Sequence, residues 1–280
     1  MNIYESQNKI IAENSENFNL RDIFECGQCF RFNKSGEFNK SGETGESYEG
    51  AAYGKFLRVY QKDNKIYFET TFEDFNNIWR NFFDLDTDYK KIFESLRRDE
   101  TLKKASDFCP GIRILKQEPF ECLISFIISQ NNNIPRIKKI IERLCANFGA
   151  KIDDANNKYA FPRASELAGL SSDDLEIIKA GFRSEYILEA AKRINSGEIN
   201  LDLIYNLSLS EGTEYLKKLK GVGDKISACV LLFAYNKLDS FPVDVWIKKI
   251  LEKYYAGGYD FGEYAGVANS YLFYYERSNN

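Results

Sequence analysis

Tyr215-Leu216-Lys217-Lys218-Leu219-Lys220-Gly221-Val222-Gly223-Asp224-Lys225-Ile226-Ser227-Ala228-Cys229-Val230-Leu231-Leu232-Phe233-Ala234-Tyr235 reads as two amphipathic helices joined by three residues, a span that permits only a tight reversal. Glycine suits the reversal because it adopts positive φ at no steric cost and leaves the backbone amides uncovered. Those amides stand at a helix N-terminus, where hydrogen bonds and the helix dipole hold a phosphate oxygen whatever the neighbouring sequence. Lys217, Lys218 and Lys220 add local positive charge. An ordinary αα-hairpin with a glycine cap has the same pattern, so other residues must separate the two readings.

Helical patterning continues on both sides of this hairpin. Phe120 to Gln130 is apolar nearly all round, as in a helix at the centre of a bundle. After the polar Asn131-Asn132-Asn133 the next helix starts near Pro135, where a first-turn proline costs little, and Ile137, Ile140, Ile141, Leu144 and Phe148 form one stripe. Further helices are predicted at 172–180, 185–195, 210–220, 224–235, 244–254 and 264–275. Asp244, within Phe241-Pro242-Val243-Asp244-Val245, falls where a helix N-cap is expected. Residues 1 to about 85 differ. Period-two runs at Phe30-Arg31-Phe32, 55–60 and 65–70, separated by Gly, Asn and Asp, predict antiparallel strands, with Asn33 to Gly50 as an extended hairpin loop and helical periodicity from about Asp74. The expected fold class is α+β, with a β-domain and flanking helices over 1–110 and a helical domain over 111–280 that holds the hairpin at about 211–235. The length of 280 residues fits two units at roughly 150 residues each.

Histidine is absent, which removes Ser-His-Asp and Cys-His triads, histidine bases and histidine-rich metal sites together. Chemistry is left to Lys, Asp, Glu, Tyr, Ser or Cys. The net charge of −4 does not announce a polyanion binder, so local charge must carry any such reading. Six cysteines, at 26, 29, 109, 122, 145 and 229, sit mostly in apolar surroundings, the pattern of buried reduced thiols. Cys26-Gly27-Gln28-Cys29 has no second pair at zinc spacing and no redox-helix context. No apolar run reaches the roughly 18 residues of a membrane helix, and Met1 to Lys9 lacks a signal-peptide core, so a cytoplasmic location is expected.

Gly221-Val222-Gly223-Asp224-Lys225 followed by Pro242-Val243-Asp244 resembles the helix-hairpin-helix/Gly-Pro-Asp superfamily of DNA glycosylases. Within it the chain looks most like an 8-oxoguanine DNA glycosylase/AP lyase. Cys26 to Arg31 resembles the Gly-Gln-x-Phe-Arg element of that family's β-domain, Ser129 to Arg136 its Asn-Asn-Asn-Ile-x-Arg segment, and Gly181-Phe182-Arg183 and Gly266 to Phe273 two more elements. The resemblance implies a twisted antiparallel β-domain and a two-lobed helical domain. No four-cysteine cluster follows, which separates the chain from iron–sulfur relatives.

The resemblance also implies roles. Damaged duplex DNA is the expected partner, engaged by a monomer that flips out the base. Phe182 would wedge the kink, Asn131 would fill the vacated space, and Arg136 and Arg183 would hold the orphaned cytosine, while Gly221 and Gly223 grip phosphate. Lys225 would be the nucleophile. A lysine in water, with a pKa of about 10.4, is almost wholly protonated, so a nucleophilic one needs burial or a helix N-terminus. Attack gives a Schiff base and β-elimination nicks the strand, with Asp244 stabilising the oxocarbenium-like charge. Gly27 would accept the N7 hydrogen that 8-oxoguanine has and guanine lacks, and Phe273 and Cys229 would sandwich the purine. Asn269 stands where the family usually has a longer glutamine on the Watson–Crick edge. No cofactor is required, and a structural cation is expected at most, on the main-chain carbonyls of Lys217, Leu219 and Val222. Alternatives are an alkylated-base glycosylase of the same fold and a non-catalytic DNA-binding protein using the hairpin alone; association with the nucleoid follows from DNA binding.

Overall fold

A computed structural model describes residues 2–7, 9–13, 17–37, 45–154 and 156–279. They divide into two compact units: Met1–Gly50, Leu57–Lys116 and Val243–Asn280 form one, and Ala51–Phe56 and Gln117–Pro242 form the other. The segment 243–280 belongs to the first unit, whereas the linear reading grouped it with the helical residues before it.

Alternation along the chain builds the sheet. In β1 (Asn2–Ser6), β2 (Lys9–Glu13), β3 (Asn33–Glu37), β4 (Glu46–Ala52), β5 (Lys55–Lys62) and β6 (Lys65–Glu69) the spatial order is β1-β2-β6-β5-β4-β3. Antiparallel register sets Ile10 opposite Phe68, Ala12 opposite Ile66 and Val59 opposite Phe68, so the fully buried residues share one face. Aromatic rings cover that face. Phe68 meets Phe75 at 5.1 Å and Phe83 at 5.4 Å, from a helical run at 72–82 and the residue after it. Phe24, in α1 (Leu20–Glu25), stacks on Phe32 at 4.4 Å.

Two expectations in this unit are corrected. Phe30-Arg31-Phe32 is a bend rather than a strand, with strand pairing starting only at Asn33; Phe30 and Phe32 are both buried, as an alternating run predicts, but the backbone there joins no ladder. The stretch Asn33 to Gly50 is not one loop: its ends are β3 and β4, paired antiparallel, while 38–44 lie outside the described residues. The unit is completed by α2 (Tyr89–Leu96), α3 (Glu100–Phe108) and two later helices given below.

In the second unit α4 (Pro119–Ser129) is central, with Phe120 through Ile128 all buried, as its apolar sequence predicts. Against it pack α5 (Ile134–Phe148), α6 (Arg183–Asn195) and, after α7 (Leu209–Leu216), α8 (Asp224–Phe233), where Phe126 and Phe233 stack at 5.5 Å. Residues 172–180 hold only a 3₁₀ helix, Asp174–Ile178, stopped by Lys179 in the left-handed region at φ 59°. The chain then returns to the first unit as α9 (Val245–Tyr254) and α10 (Ala265–Ser278), and α10 packs on α3 and α9. Among the described residues no helix is long and apolar enough to cross a membrane.

Candidate active site

The hairpin comes first, because its geometry is set by single residues. Ser208 and Glu211 form a capping box at the start of α7, with the Ser208 amide donating to Glu211 Oε2 at 2.8 Å. Gly221 has φ 80°, and a Cβ there would sit 2.4 Å from the Tyr186 ring, so both backbone and packing require glycine. Gly223 is extended and a Cβ on it meets open space, so its value is the bare approach to the α8 N-terminus. The first-turn amides of α8 find no acceptor among the described residues, which leaves them for an anion.

Charge here is less free than composition suggests. Lys217 pairs with Glu214 at 3.1 Å and Asp224 at 2.9 Å, and Lys220 pairs with Glu185 at 2.5 Å. Such exposed pairs are worth about 0–1 kcal/mol, so phosphate can displace them at little cost. For the expected cation, the Leu219 carbonyl already accepts the Val222 amide at 3.1 Å, and a carbonyl with two lone pairs can also ligate an ion. Among the described residues no three His, Cys, Asp or Glu side chains are grouped to hold a metal.

Lys225 lies one residue inside α8, half-buried in the second unit. Its Nζ donates to Ser129 Oγ at 3.4 Å and stands 5.3 Å from the centre of the Phe126 ring. Ser129 was read only as part of a segment; its contact joins residues far apart in the chain, which no local pattern signals. Cys229, one turn further along α8, is buried.

A second cluster carries the proposed DNA contacts. Asn131 is exposed in the left-handed region at φ 45°, and Phe182 is 55% exposed. Arg136 and Phe182 line one open depression of about 570 Å³ together with Lys179 and Glu185. Arg136 donates to the Lys179 carbonyl at 3.5 Å. Arg183, expected to face a base, is 3% exposed and donates to the carbonyls of Gln130 (Nε, 2.9 Å), Ala180 (Nη1, 3.0 Å) and Asn131 (Nη2, 2.9 Å). Burial, and then the like charge of Arg136, lower its pKa below the usual arginine value.

In the first unit the structure brings Gly27 and Phe273 together. Gly27 has φ 88°, and the Cβ it lacks would lie 3.0 Å from Phe273 Cε1. Its carbonyl accepts no hydrogen bond among the described residues. Gln28, 1% exposed, holds this turn: Nε2 donates to the carbonyls of Ile23 (2.9 Å) and Arg113 (2.7 Å), and Oε1 accepts the Leu115 amide (2.9 Å). Asn269 lies one turn before Phe273 on α10 and is buried. Asp244 caps α9, its Oδ1 accepting from the amides of Trp246 at 2.9 Å and Ile247 at 2.8 Å, while Oδ2 has no hydrogen-bond partner among the described residues.

A bare-amide hairpin leading into a half-buried lysine, with a capped aspartate after it, defines the helix-hairpin-helix class of base excision repair proteins. Residues 124–260 match the model of the HhH-GPD superfamily base excision DNA repair protein, and residues 10–123 match that of the 8-oxoguanine DNA glycosylase N-terminal domain. The chain belongs to the 8-oxoguanine DNA glycosylase family. It is 40% identical to MBOgg1, solved with a low-affinity DNA ligand, over 99% of this chain and 98% of that one, with a TM-score of 0.92. Against the Clostridium acetobutylicum 8-oxoguanine glycosylase/lyase, solved with double-stranded DNA containing cytosine opposite 8-oxoguanine, identity is 40%, coverage 100% and 99%, and the TM-score 0.91. The N-glycosylase/DNA lyase of Saccharomyces cerevisiae is 35% identical over 62% of this chain, a match that spans 50% of the yeast protein.

Proposed function

We propose that the protein is a bifunctional DNA glycosylase/AP lyase that extrudes 8-oxoguanine from duplex DNA, preferentially opposite cytosine, excises it and nicks the strand. The placement of Lys225 carries this reading: it is a half-buried amine directly after a phosphate-gripping hairpin, with its Nζ against Ser129 Oγ. The hairpin amides hold backbone phosphate, Phe182 and Asn131 replace the extruded base, and Arg136 and Arg183 hold the orphaned cytosine, Arg183 while also ordering the 130–131 and 180 carbonyls. Gly27 offers its carbonyl to N7–H of the lesion, Phe273 and Cys229 face the purine ring, and Asn269 takes its Watson–Crick edge. In guanine the same carbonyl meets a lone pair, and two opposed acceptors cost more than one lost hydrogen bond.

Neutral Lys225 attacks C1′ as the glycosidic bond breaks and its electrons leave with the base. Asp244 stabilises positive character at the sugar through its unbonded Oδ2. Ring opening gives the Schiff base, and removal of a C2′ proton expels the 3′ phosphate. Neither step needs histidine, since the departed base can carry protons. A cation at the hairpin, if bound through the carbonyls of Lys217, Leu219 and Val222, would stiffen the turn. The protein acts as a monomer in the cytoplasm, associated with the nucleoid.

Borohydride trapping tests the reading. The unmodified protein forms a covalent adduct with 8-oxoguanine duplex and Lys225→Gln does not; an adduct surviving that substitution overturns the mechanism. An alkylated-base activity has no observation in its favour, and structures such as the Archaeoglobus fulgidus 3-methyladenine DNA glycosylase, at 20% identity, share the fold.

A further inference from the structure

Arg277 follows Phe273 by one turn of α10 and reaches back to the turn that carries Gly27, all within the first unit. Its Nη2 donates to the Glu25 carbonyl, and its guanidinium lies 5.3 Å from the centre of the Phe273 ring. Nη1 is different. It is shut off from water and has no hydrogen-bond partner among the described residues. It stands 3.4 Å from the point where a Cβ on Gly27 would be, the same point that lies 3.0 Å from Phe273 Cε1. The neighbouring carboxylates are occupied elsewhere: Glu25 accepts from Tyr48 at 2.7 Å, and Glu276 accepts from Lys253 at 2.9 Å. A buried charged donor without an acceptor is costly, so one beside a bare glycine and an aromatic face marks a place where a ligand oxygen completes it once the Phe273 ring turns aside to admit the base.

We infer that Arg277 is a specificity-determining residue that donates from Nη1 to an exocyclic carbonyl oxygen flanking N7 of the extruded purine. The inference rests on the proposed 8-oxoguanine activity. In that base N7 carries hydrogen and lies between two carbonyl oxygens, O6 and O8. The Gly27 carbonyl and the Arg277 donor then present an acceptor and a donor side by side, matching the donor and acceptor of the lesion edge. Adenine sets an amino group at the O6 position, where two donors would oppose each other. A guanidinium at this edge also supplies orientation that Asn269, shorter than glutamine, gives less readily.

Single-turnover base release is measured with the full chain on duplexes carrying 8-oxoguanine, 8-oxoadenine (an amino group in place of O6) or 8-thioguanine (sulfur, a weak acceptor, in place of O8). Each rate is divided by the rate of nicking a preformed abasic site in the same preparation, which cancels the folded fraction. Arg277→Met lowers this ratio for 8-oxoguanine by about tenfold or more. The loss shrinks toward nothing on whichever analogue lacks the contacted oxygen, which also tells O6 from O8. Arg277→Lys, which keeps the charge but not the planar fork, gives the same ordering with a smaller loss and serves if the methionine variant does not fold. An unchanged ratio, or an equal loss on all three bases, overturns the inference and leaves Arg277 as a brace for the Gly27 turn. An unmodified protein that nicks abasic DNA but releases none of the three bases overturns the 8-oxoguanine reading itself, and this inference with it.

Discussion

The Cβ that Gly27 lacks would stand 3.0 Å from Phe273 Cε1. Closeness of this kind makes the absence of a side chain part of the surface that the proposed function turns toward the base. Gly27→Ala places a methyl group in a backbone held at φ 88°, where an L-residue is strained by roughly 1 kcal/mol, and it pushes the Phe273 ring aside by a few tenths of an ångström. Base release from 8-oxoguanine duplex is expected to fall at least tenfold relative to nicking of an abasic site, with the unfolding temperature lowered by a few degrees. Equal rates of base release in the two proteins would show that Gly27 does not face the lesion.

Asp244 caps α9 and is proposed to stabilise charge at the sugar, and substitution separates the two. Oδ1 accepts two amides of α9, and asparagine caps a helix as well as aspartate does. Asp244→Asn is therefore expected to keep the unfolding temperature nearly unchanged while losing on the order of 10²-fold or more in base release, because only the charge is gone. Asp244→Ala loses the cap too, at about 1 kcal/mol. Calorimetry and single-turnover kinetics on the same samples distinguish the two duties; retained activity in the asparagine variant would reduce Asp244 to a cap.

Arg183 and Arg136 part company on stability. Arg183 is buried across the carbonyls of Gln130, Asn131 and Ala180, so Arg183→Ala strands those acceptors and is expected to cost about 2 kcal/mol, or roughly 4–8 °C of melting temperature. Lysine does not restore it, since one ammonium cannot span three carbonyls. Arg136→Ala, at an exposed position, leaves melting within about 0.5 kcal/mol and narrows the preference for cytosine over adenine opposite the lesion. Excision rates opposite each base and a thermal melt check both halves.

These contrasts follow which contacts the chain encodes locally. The bundle helices, the Gly221 reversal and the Asp244 cap were legible because periodicity, glycine and capping act within a few residues. The two edge-side strands Asn2–Ser6 and Lys9–Glu13 were not, since β2 gains its meaning only from pairing with β6 more than fifty residues later. Phe30 and Phe32 are both buried, as two residues two apart in a strand would be, yet the pattern could not tell that the backbone bends there and pairs only from Asn33. Among the site residues, the family resemblance pointed to Lys225, Gly27 and Phe273, but nothing local told that Arg183 would donate to three carbonyls or that Ser129 would meet Lys225. Arg277 lay on a helix whose polar positions look alike, and only the tertiary fold gives its Nη1 a buried address.

The thiols offer a last test, directed at Cys26-Gly27-Gln28-Cys29 as a redox pair. Both cysteines are buried and neither forms a disulfide, and burial pushes the Cys26 thiol up to about 12, with its Sγ donating to the Ile23 carbonyl at 3.3 Å. A thiol whose folded pKa exceeds the ordinary 9.0 stays neutral in the fold while the unfolded chain ionises, so its contribution to stability is complete below pH 9 and is lost as pH rises toward 12. Thiolate, not thiol, attacks disulfide reagents. At pH 8 the native protein is therefore expected to react with an aromatic disulfide reagent no faster than it unfolds, and the denatured protein to release colour from all six cysteines at once. Rapid modification of one or two thiols in the native protein, with loss of base release reversed by a reductant, would instead make this pair a redox control on the turn that carries Gly27.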